Sequence, residues 1–396
     1  MLGKRHAAHR PQTFGYVGKK QYLCGVEIRG HFYVPEDYMA QRVLIAMSGG
    51  IDSTVSAILL REQGYELVGV TYRTFDSIKE SCLVREKGCC SVESIMEAKH
   101  NAQTLGFEHH IVDFRDTFRE HVIANFVDEY THGRTPNPCV LCNSHIKWGA
   151  LIEAADRYSC DYIATGHYAQ IAERGGHIYL KRAVDTRKDQ TYFLWMLTED
   201  NLRRTLFPLG GLTKPEVRQI AFDHGFVALS QKAESQEICF VPDNDYRTFL
   251  SEQGVEVPSG EYVDADGHIL GQHEGYTNYT IGQRKGLGIA LGSPKYVTHI
   301  DAEHNRVTLG DHDDLYRTSV EARDVRIRDV EWLRTSPAVE ARIRYRSPAV
   351  AAEIDLQPDR NTACLHFHSP VWGVTPGQSL VMYKDNLLVG GGVIEN

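Results

Sequence analysis

Apolar positions in the first half of the chain alternate between short continuous runs and helically spaced stretches. Each run is followed by one such stretch, and the pairs are 43–47 with 54–63, 66–72 with 91–105, and 109–113 with 114–130. Short buried strands that alternate with helices are typical of a parallel α/β sheet, in which ligands bind beyond the carboxyl ends of the strands. After about residue 315 the helical spacing ends and short strand-like segments follow.

The turn after the first predicted strand has the composition of a phosphate-binding loop. Its residues, with the strand end and the helix start, are Ala46, Met47, Ser48, Gly49, Gly50, Ile51, Asp52 and Ser53. The two glycines permit backbone torsions that a side chain would forbid, and free N–H groups at a helix start attract an anion. A turn without a ligand is the alternative, but the flanking strand and helix favour phosphate binding. No Gly-Lys-Ser/Thr follows, which excludes the P-loop that holds the β- and γ-phosphates with a lysine.

Two cysteines follow a segment that is rich in proline. Prolines in residues 133–138 exclude a helix in this stretch, and the later apolar spacing predicts a helix that begins near Cys142. A thiolate is favoured at a helix N-terminus, so we expect a lowered pKa at Cys142. Cys239 lies in an apolar, strand-like run, where a cysteine is usually just buried. Chance and structural thiols are the alternatives for the CxxC pair, and a zinc site would need a second CxxC nearby.

Three other segments carry polar residues that could serve a site. Gly166 follows a predicted strand at 161–165, and we expect it to let the backbone approach a nucleotide closely. His167 is either a packed histidine or a ligand contact. Residues 213–216 have the cap and the proline of a helix start. Residues 341–346 alternate, so three arginines would share one strand face, which either is solvated or contacts phosphates.

Length, charge and cysteine usage narrow the class of protein. A chain of 396 residues predicts two or three domains, and a net charge of −9 argues against a broadly basic nucleic-acid binder without excluding local basic patches. Nine cysteines, odd in number and clustered, fit a reducing compartment with thiol or metal chemistry. The sequence has no run of about eighteen apolar residues, so we expect no membrane span. The basic segment 1–40 predicts a mobile extension of a cytoplasmic protein, with an organelle presequence as the alternative.

The order of the motifs resembles one enzyme family. SGGIDS alone resembles the loop of the ATP-pyrophosphatases, which split ATP between the α- and β-phosphates. Followed by GRTPNPCVLCN, ATGHYA, KDQTYFL, ESQEICF, YTIGQRKGLGI, VTPGQS and GGGVIE, it resembles the tRNA-specific 2-thiouridylase (MnmA) family over about residues 41–396. The resemblance implies an extension at 1–40, a parallel-sheet α/β PP-loop catalytic domain of the adenine-nucleotide α-hydrolase type at 41–240, a central domain at 241–315 and a C-terminal β-barrel at 316–396.

The resemblance implies ATP-dependent 2-thiolation of the wobble uridine, U34, in the tRNAs for Lys, Glu and Gln. Adenylation would turn the C2 oxygen of the uracil into a phosphate leaving group that sulfur can replace. The resemblance also implies Mg²⁺ with the ATP, Tyr72 and Gly166 near the adenosine, and a sulfur donor such as a cysteine desulfurase or a sulfur-relay protein. The implied tRNA contacts are Asn137, Pro138, Cys139, Lys188, Asp189, Gln190, Arg344 and Tyr345.

Sulfur chemistry could follow one of two routes. The resemblance implies that Cys239 carries a persulfide and that Cys142 assists and forms a disulfide with it. Many members of the family have an aspartate where this chain has Cys139, so this chain lacks that acid/base candidate and has a third thiol. The three cysteines match the CxxC-plus-one-cysteine pattern of iron–sulfur-dependent tRNA thiolases, and three thiolates can hold a [4Fe–4S] cluster with one iron free for sulfide. The sequence leaves the cluster and the persulfide relay open.

Two other functions also remain open at the level of sequence. An ATP-pyrophosphatase that adenylates another substrate, such as an amidating ligase, would need a glutaminase domain or partner. That function gives no role to Cys139, Cys142 and Cys239. A non-catalytic tRNA-binding protein would have no use for an intact phosphate loop.

Overall fold

The computed structural model describes residues 41–75, 92–232, 238–241, 245–357 and 361–395, and the backbone of two short strands near the N-terminus. Those strands, Tyr22–Leu23 and Val26–Glu27, pair antiparallel within a compact unit that covers Met1–Asp37. A second unit, Tyr38–Asn396, contains everything described below. The polar loop that was expected at 76–91 and residues 234–237 of the ESQEICF motif lie outside the described residues.

A five-stranded parallel sheet forms the centre of the first half of this unit. Its strands, in spatial order, are Glu108–Asp113, Glu66–Arg73, Arg42–Ala46, Tyr162–Ala164 and Thr205–Leu206. In the central strand Leu44 belongs to one apolar cluster, whereas Val43 and Ile45 belong to another, and all three are fully buried. A strand that is covered on both faces is apolar at every position, which explains the continuous run in the sequence. The predicted α/β class is confirmed.

Helices pack around this sheet, and two of them contain π-helical turns. The long helical segments are Ile51–Glu62, Val92–Leu105, Arg115–Phe118 continued by Arg119–Ile123 and Ala124–Thr131, and Pro138–Leu141 continued by Cys142–Ala150 and Leu151–Arg157. The shorter helices are Thr191–Leu194, Glu199–Arg203, Lys214–Asp223, Val227–Gln231 and Tyr246–Glu252. None of the described helices combines the length and the apolar composition of a membrane span.

A small four-stranded sheet follows the parallel sheet in the chain. Its strands, in spatial order, are Ile269–His273, Gly260–Val263, Arg306–Gly310 and Tyr296–Asp301. Gly260–Val263 runs parallel to Arg306–Gly310, and the two outer pairs are antiparallel. The turns Tyr276–Asn278 and His312–Leu315 lie beside this sheet.

Six antiparallel strands at the end of the chain close into a barrel. Their spatial order is Tyr316–Ile327, Thr362–Trp372, Val350–Gln357, Ala338–Arg342, Ser379–Lys384 and Leu387–Ile394. The last strand pairs back onto the first, so the sheet has no free edge there. The short helix Val330–Thr335 joins the first strand of the barrel to the next. This confirms the predicted C-terminal β-barrel.

A hairpin of the first half extends the barrel sheet. Its strands are Gln170–Arg174 and His177–Lys181, and Lys181 pairs with Leu387 of the last barrel strand. The barrel therefore contacts a segment that lies in the chain between two strands of the parallel sheet, and residues that are distant in sequence meet there.

Glu129 connects the helix Ala124–Thr131 to the barrel through hydrogen-bonded ion pairs. It is 4% exposed, and its carboxylate accepts hydrogen bonds from Arg134 Nε at 2.8 Å, from Arg134 Nη2 at 2.9 Å and from Arg323 Nη2 at 3.1 Å. We expect Glu129→Ala to destabilise the protein by about 2 kcal/mol, because two half-exposed guanidinium groups lose a buried partner. The thermal unfolding midpoint measures this loss.

A surface pair supplies the control for that experiment. Glu261 and Arg306 lie 3.1 Å apart and are each more than one-third exposed. Because exposed ion pairs contribute about 1 kcal/mol or less, Glu261→Ala should lower the midpoint far less than Glu129→Ala. Equal effects of the two substitutions would contradict the role given to Glu129.

Candidate active site

The loop at residues 47–50 connects the central strand to the helix Ile51–Glu62 at the carboxyl edge of the sheet. Gly49 has a φ of 74°, a backbone conformation that side chains rarely adopt. A Cβ at Gly49 would also lie 2.5 Å from the carbonyl oxygen of Ser94 in the helix Val92–Leu105. The loop therefore packs directly against that helix and requires glycine at this position.

The start of the helix Ile51–Glu62 is arranged to receive an anion. Among the described residues no side chain caps this helix, whose N-cap is Gly50. The hydroxyl of Ser53 instead accepts from the Ser48 N–H at 3.2 Å and donates to the Gly50 carbonyl at 3.1 Å. These contacts shape the loop from inside and leave the N–H groups of the first helical turn without an intrahelical acceptor. The residues present therefore fit a bound phosphate.

Gly166 packs against the backbone of the phosphate loop. A Cβ at this position would lie 2.9 Å from the carbonyl carbon of Asp52 and 2.9 Å from the nitrogen of Ser53. The glycine thus lets the segment after the strand Tyr162–Ala164 lie against the first turn of the phosphate-loop helix. This close approach is to protein backbone, and the expected approach of Gly166 to a nucleotide stays a prediction.

Asp52 in the phosphate loop is bound by two side chains that the motif analysis did not select. Lys214 Nζ lies 2.7 and 2.9 Å from its two carboxylate oxygens, and the Tyr168 hydroxyl donates to Oδ1 at 2.9 Å. Lys214 begins the helix Lys214–Asp223, as the cap and proline predicted. A lysine at the positive end of a helix is unfavourable, and this is the signal that could have identified it.

His167 is a packed histidine, which decides between the two interpretations of this residue. It is 9% exposed, its Nδ1 lies 2.8 Å from Thr165 Oγ1, and its ring packs against those of Trp148 and Phe207. Burial lowers its pKa well below the ordinary value, so the ring is neutral. Its Nε2 lies 3.4 Å from Lys147 Nζ, which connects it to the cysteine-bearing helix.

The cysteine-bearing helix begins at Pro138, so the predicted start near Cys142 is wrong. Proline is compatible with the first position of a helix because that N–H needs no acceptor. Cys139 therefore occupies the first turn of the helix, and Cys142 lies one turn later. Cys139 is exposed to solvent. Nearby protein atoms partly desolvate its thiol, which raises its pKa, whereas the positive charge of Lys147 lowers the pKa.

Cys239 lies in a turn, so the prediction of a strand-like run is wrong for the described residues 238–241. Phe240 and Val241 are buried in one apolar cluster with Leu141 and Cys142, which anchors this turn beside the cysteine-bearing helix. The Cys239 side chain itself is exposed, and its exposed thiol is accessible to a reaction partner.

Cys139, Cys142 and Cys239 are not gathered into a compact metal site. Cys139, Cys142 and Cys239 form no disulfide. Among the described residues, their sulfur atoms do not form a group within 4.8 Å of one another, as the ligands of a single metal ion would. A [4Fe–4S] cluster spaces its ligands more widely, and thiols on a solvent-accessible helix turn and a neighbouring loop fit its ligand chemistry.

Residues of the barrel hold the segment before Cys139. The Thr135 N–H donates to the Pro376 carbonyl at 2.8 Å, and Gln378 Nε2 donates to the carbonyls of Thr135 at 3.0 Å and Pro136 at 2.9 Å. The buried Asn143 on the cysteine-bearing helix donates to the Phe193 carbonyl at 3.0 Å. Contacts of this kind explain why VTPGQS and KDQTYFL accompany the cysteines in the sequence.

Two of the expected tRNA contacts are engaged inside the protein. Asp189 is 2% exposed, and it accepts from the Thr191 hydroxyl at 2.9 Å and from the Ala183 N–H at 3.1 Å. Burial raises its pKa. Arg344 Nη2 donates to the carbonyls of Ile281 at 3.1 Å and Gly373 at 2.6 Å. Burial of Asp189 argues against a tRNA contact through its side chain, whereas Arg344 is half-buried and its expected tRNA contact stays a prediction.

The arginine stripe that was expected at 341–346 is not present. The strand ends at Arg342, which lies 3.6 Å from the buried Asp189, and the chain then turns. Arg344 and Arg346 therefore do not share a strand face with Arg342. The ring of Tyr345 lies 4.4 Å from that of Phe193.

The other expected site residues lie at or near the surface in most cases. Lys188, Gln190 and Asn137 are half-buried, whereas Pro138 is buried as the first residue of its helix. Gln190 Oε1 accepts from the Tyr168 N–H at 2.9 Å. Tyr72 stands at the end of its strand, where its ring lies 5.9 Å from that of Phe114.

Three family models match successive parts of the chain. A model described as a tRNA methyl transferase HUP domain matches residues 41–243, one described as a tRNA methyl transferase PRC-barrel domain matches 247–311, and one described as an aminomethyltransferase β-barrel domain matches 322–394. Together they cover the parallel sheet, the four-stranded sheet and the barrel.

Curated relatives match nearly the whole chain. The tRNA-specific 2-thiouridylase MnmA of Amoebophilus asiaticus is 48% identical over 89% of this chain and 95% of its own length. The proteins of the same name from Cytophaga hutchinsonii and Salinibacter ruber are each 46% identical. They cover 90% and 89% of this chain, and 97% and 94% of their own lengths.

Proposed function

Because this chain belongs to the tRNA-specific 2-thiouridylase (MnmA) family, we propose that it replaces the C2 oxygen of the wobble uridine of tRNA by sulfur with the consumption of ATP. The substrates are the tRNAs for Lys, Glu and Gln. An amidating ligase would give no role to the three cysteines, and a non-catalytic tRNA-binding protein would give none to the phosphate loop.

One observation carries this proposal for the site. Lys147, on the helix that bears Cys139 and Cys142, lies 3.4 Å from His167, and the adjacent Gly166 packs on the phosphate-loop helix. The anion-binding helix start and the cysteine-bearing helix are therefore connected through Lys147, His167 and Gly166. A substrate activated at the loop can be attacked from the cysteine side without leaving the protein.

The phosphate loop supplies the activation step. The uracil C2 oxygen attacks the α-phosphorus of ATP, and pyrophosphate leaves toward the N–H groups of the helix that begins at Ile51. These preorganised donors stabilise the negative charge that develops on the leaving group. Mg²⁺ would neutralise phosphate charge when bound with the ATP, and the Asp52 carboxylate in this loop is already paired with Lys214.

The cysteines supply the sulfur step. A sulfur nucleophile attacks the activated C2, and AMP leaves with the former uracil oxygen. We propose that Cys139, Cys142 and Cys239 hold a [4Fe–4S] cluster, which when bound would present sulfide for this attack. A free thiol in the first helical turn, at the place of the family's aspartate, supports this choice over the persulfide relay.

The partners follow from this chemistry. We propose that tRNA contacts the protein around the cysteine-bearing helix through Asn137, Lys188, Gln190 and Tyr345, while Asp189 and Arg344 support this surface from inside. Sulfur comes from a donor such as a cysteine desulfurase or a sulfur-relay protein, and we place the reaction in the cytoplasm. The catalytic, central and barrel domains are assigned to 41–240, 241–315 and 316–396, after the extension at 1–40.

Mass spectrometry of tRNA hydrolysates tests the function as a whole. Depletion of the protein in its host should remove 2-thiouridine-type nucleosides from the tRNAs for Lys, Glu and Gln. Expression of the chain from a plasmid should restore them. Unchanged levels of these nucleosides after depletion would contradict the proposed function and would favour adenylation of a different substrate.

The substitution Cys139→Asp tests the choice of sulfur chemistry. Because it removes one of the three thiolates, protein purified without oxygen should lose its iron, its visible absorption and its thiolation activity. Cys364→Ser changes a half-buried thiol of the barrel and should keep all three properties. Activity of the Cys139→Asp variant, or an active wild-type protein without iron, would support the persulfide relay instead.

A further inference from the structure

Lys214 is buried in an ion pair with an acidic residue of the phosphate loop. Its side chain is 8% exposed and that of Asp52 is 35% exposed, so the carboxylate is open to solvent on one side. Nζ lies 2.7 Å from Oδ1 and 2.9 Å from Oδ2, a geometry in which the ammonium contacts both oxygens. The two residues are 162 positions apart, so the contact joins two separate elements of the fold.

The helix that Lys214 begins does not need a lysine there. Thr213 caps this helix, and Glu216 completes a capping box with it. The positive end of a helix disfavours a cation, and burial of a lysine costs the rotamer freedom of its long side chain. What favours a lysine at this position is therefore its contact with Asp52 rather than the stability of its own helix.

Asp52 needs a cation because of where it stands. It is in the first turn of the helix Ile51–Glu62, whose N–H groups form the anion site. A carboxylate beside a bound triphosphate repels it, and the repulsion is strong where protein displaces water. An ammonium in contact with both oxygens of Asp52 cancels this charge and leaves the N–H groups to act on the phosphates.

One further contact fixes the Asp52 carboxylate, and another fixes its backbone. The Tyr168 hydroxyl donates to Oδ1 at 2.9 Å, and Tyr168 is itself 2% exposed. Gly166, two residues earlier, packs against the backbone of Asp52. The loop after the strand Tyr162–Ala164 and the helix Lys214–Asp223 therefore hold the start of the phosphate-loop helix from two sides.

We propose that Lys214 is a positioning residue for ATP, which acts through Asp52 by neutralising its charge and fixing the first turn of the phosphate-loop helix. This inference rests on the ATP use in the proposed function, but not on the identity of the substrate that is adenylated. In this proposal the Asp52 carboxylate is neutralised by Lys214 and is not a ligand of a metal ion.

Binding of a non-hydrolysable ATP analogue to the full chain, followed by calorimetry without tRNA, tests this role. Lys214→Met leaves Asp52 uncompensated and should weaken binding by about ten- to thirtyfold. The double variant Asp52→Asn with Lys214→Met removes both charges and should recover most of that loss. If the role of Lys214 were only structural, Asp52→Asn would remove a second hydrogen-bonded group and would not restore analogue binding.

The matched control is Lys295→Met, which breaks a lysine–aspartate pair of 2.8 Å with Asp311 outside the catalytic region. It should leave analogue binding unchanged. A double variant that binds as weakly as Lys214→Met would overturn the proposal, because it would mean that the ammonium contacts the phosphates directly. Unchanged binding by Lys214→Met would also overturn it.

Asp52→Asn alone decides the question if Lys214→Met does not fold. It removes the negative charge that balances Lys214, so the positive charge of Lys214 stays uncompensated beside the site. The analogue should therefore bind about threefold tighter or more. Weaker binding would show that the carboxylate itself contributes to ATP binding and would contradict the inference. Failure of the wild-type protein to bind the analogue would instead refute the ATP use in the proposed function.

Discussion

Cys142→Ser and Cys239→Ser should each reduce tRNA thiolation by roughly a thousandfold or more, because a hydroxyl can neither carry sulfur nor ligate an iron–sulfur cluster. Both substitutions remove a sulfur atom from the same region, since the Cys239 turn and Cys142 share one apolar cluster. The rate of 2-thiouridine formation in purified tRNA measures the effect. Binding of the ATP analogue should stay within about threefold of wild type, because neither cysteine lies in the phosphate loop.

Two other cysteines provide controls for this experiment. Cys160 is 4% exposed beside the sheet, and Cys364 lies in the barrel strand Thr362–Trp372. Cys160→Ser and Cys364→Ser should keep thiolation near the wild-type rate, with a modest loss of stability for the buried site. If Cys142→Ser retains more than about one-tenth of the wild-type rate, the assignment of the sulfur step to this cysteine is wrong.

Gly166→Ala should weaken the affinity for the ATP analogue by about a hundredfold. The added Cβ would lie 2.9 Å from the Asp52 carbonyl carbon and 2.9 Å from the Ser53 nitrogen, and both are backbone atoms that cannot rotate away. The first turn of the phosphate-loop helix must therefore shift, and displacement of a preorganised site by about 1 Å can cost a hundredfold. Calorimetry of analogue binding measures the loss.

Gly211→Ala is the matched control, because a Cβ at Gly211 would meet no atom within 4 Å. It should bind the analogue as the wild-type protein does. The circular dichroism and the unfolding midpoint of Gly166→Ala should show that the variant is folded. Normal analogue binding by a folded Gly166→Ala protein would contradict the contact that places this segment on the loop.

The parallel sheet and the phosphate loop could be predicted from local sequence. The period of apolar residues reports directly whether a strand is covered on both faces, and the run at 43–47 and the helix after Gly50 follow from it. Gly64, directly after the C-cap residue of the first helix, has a φ of 90°, which is typical of a glycine at a helix end. These features depend on residues that are neighbours in the chain.

Two predictions were wrong because the same local sequence pattern is compatible with two different structures. The proline at position 138 forbids a helix before it and also suits the first turn of a helix, and the fold uses the second property. Arg344 continues an alternating pattern, but carbonyls of Ile281 and Gly373 bind its guanidinium and end the strand pattern there. Such partners lie tens of residues away and leave no local trace.

The pairing of Lys214 with Asp52 shows the same limit for the active site. Each residue has a local explanation, one as a helix start and the other as part of a phosphate loop. Their contact depends on how the helix Lys214–Asp223 packs beside the helix Ile51–Glu62. Motifs identified the reactive groups, whereas the groups that hold them in place became evident in the fold.

The most direct test of the central claim follows the oxygen that leaves the uracil. The substrate is tRNA with a heavy oxygen isotope at C2 of the wobble uridine, incubated with the purified protein, ATP and a sulfur source. Activation by adenylation predicts that the heavy oxygen appears in AMP in proportion to the 2-thiouridine formed. Thiolated tRNA accompanied by unlabelled AMP, or with the label in inorganic phosphate, would contradict the account.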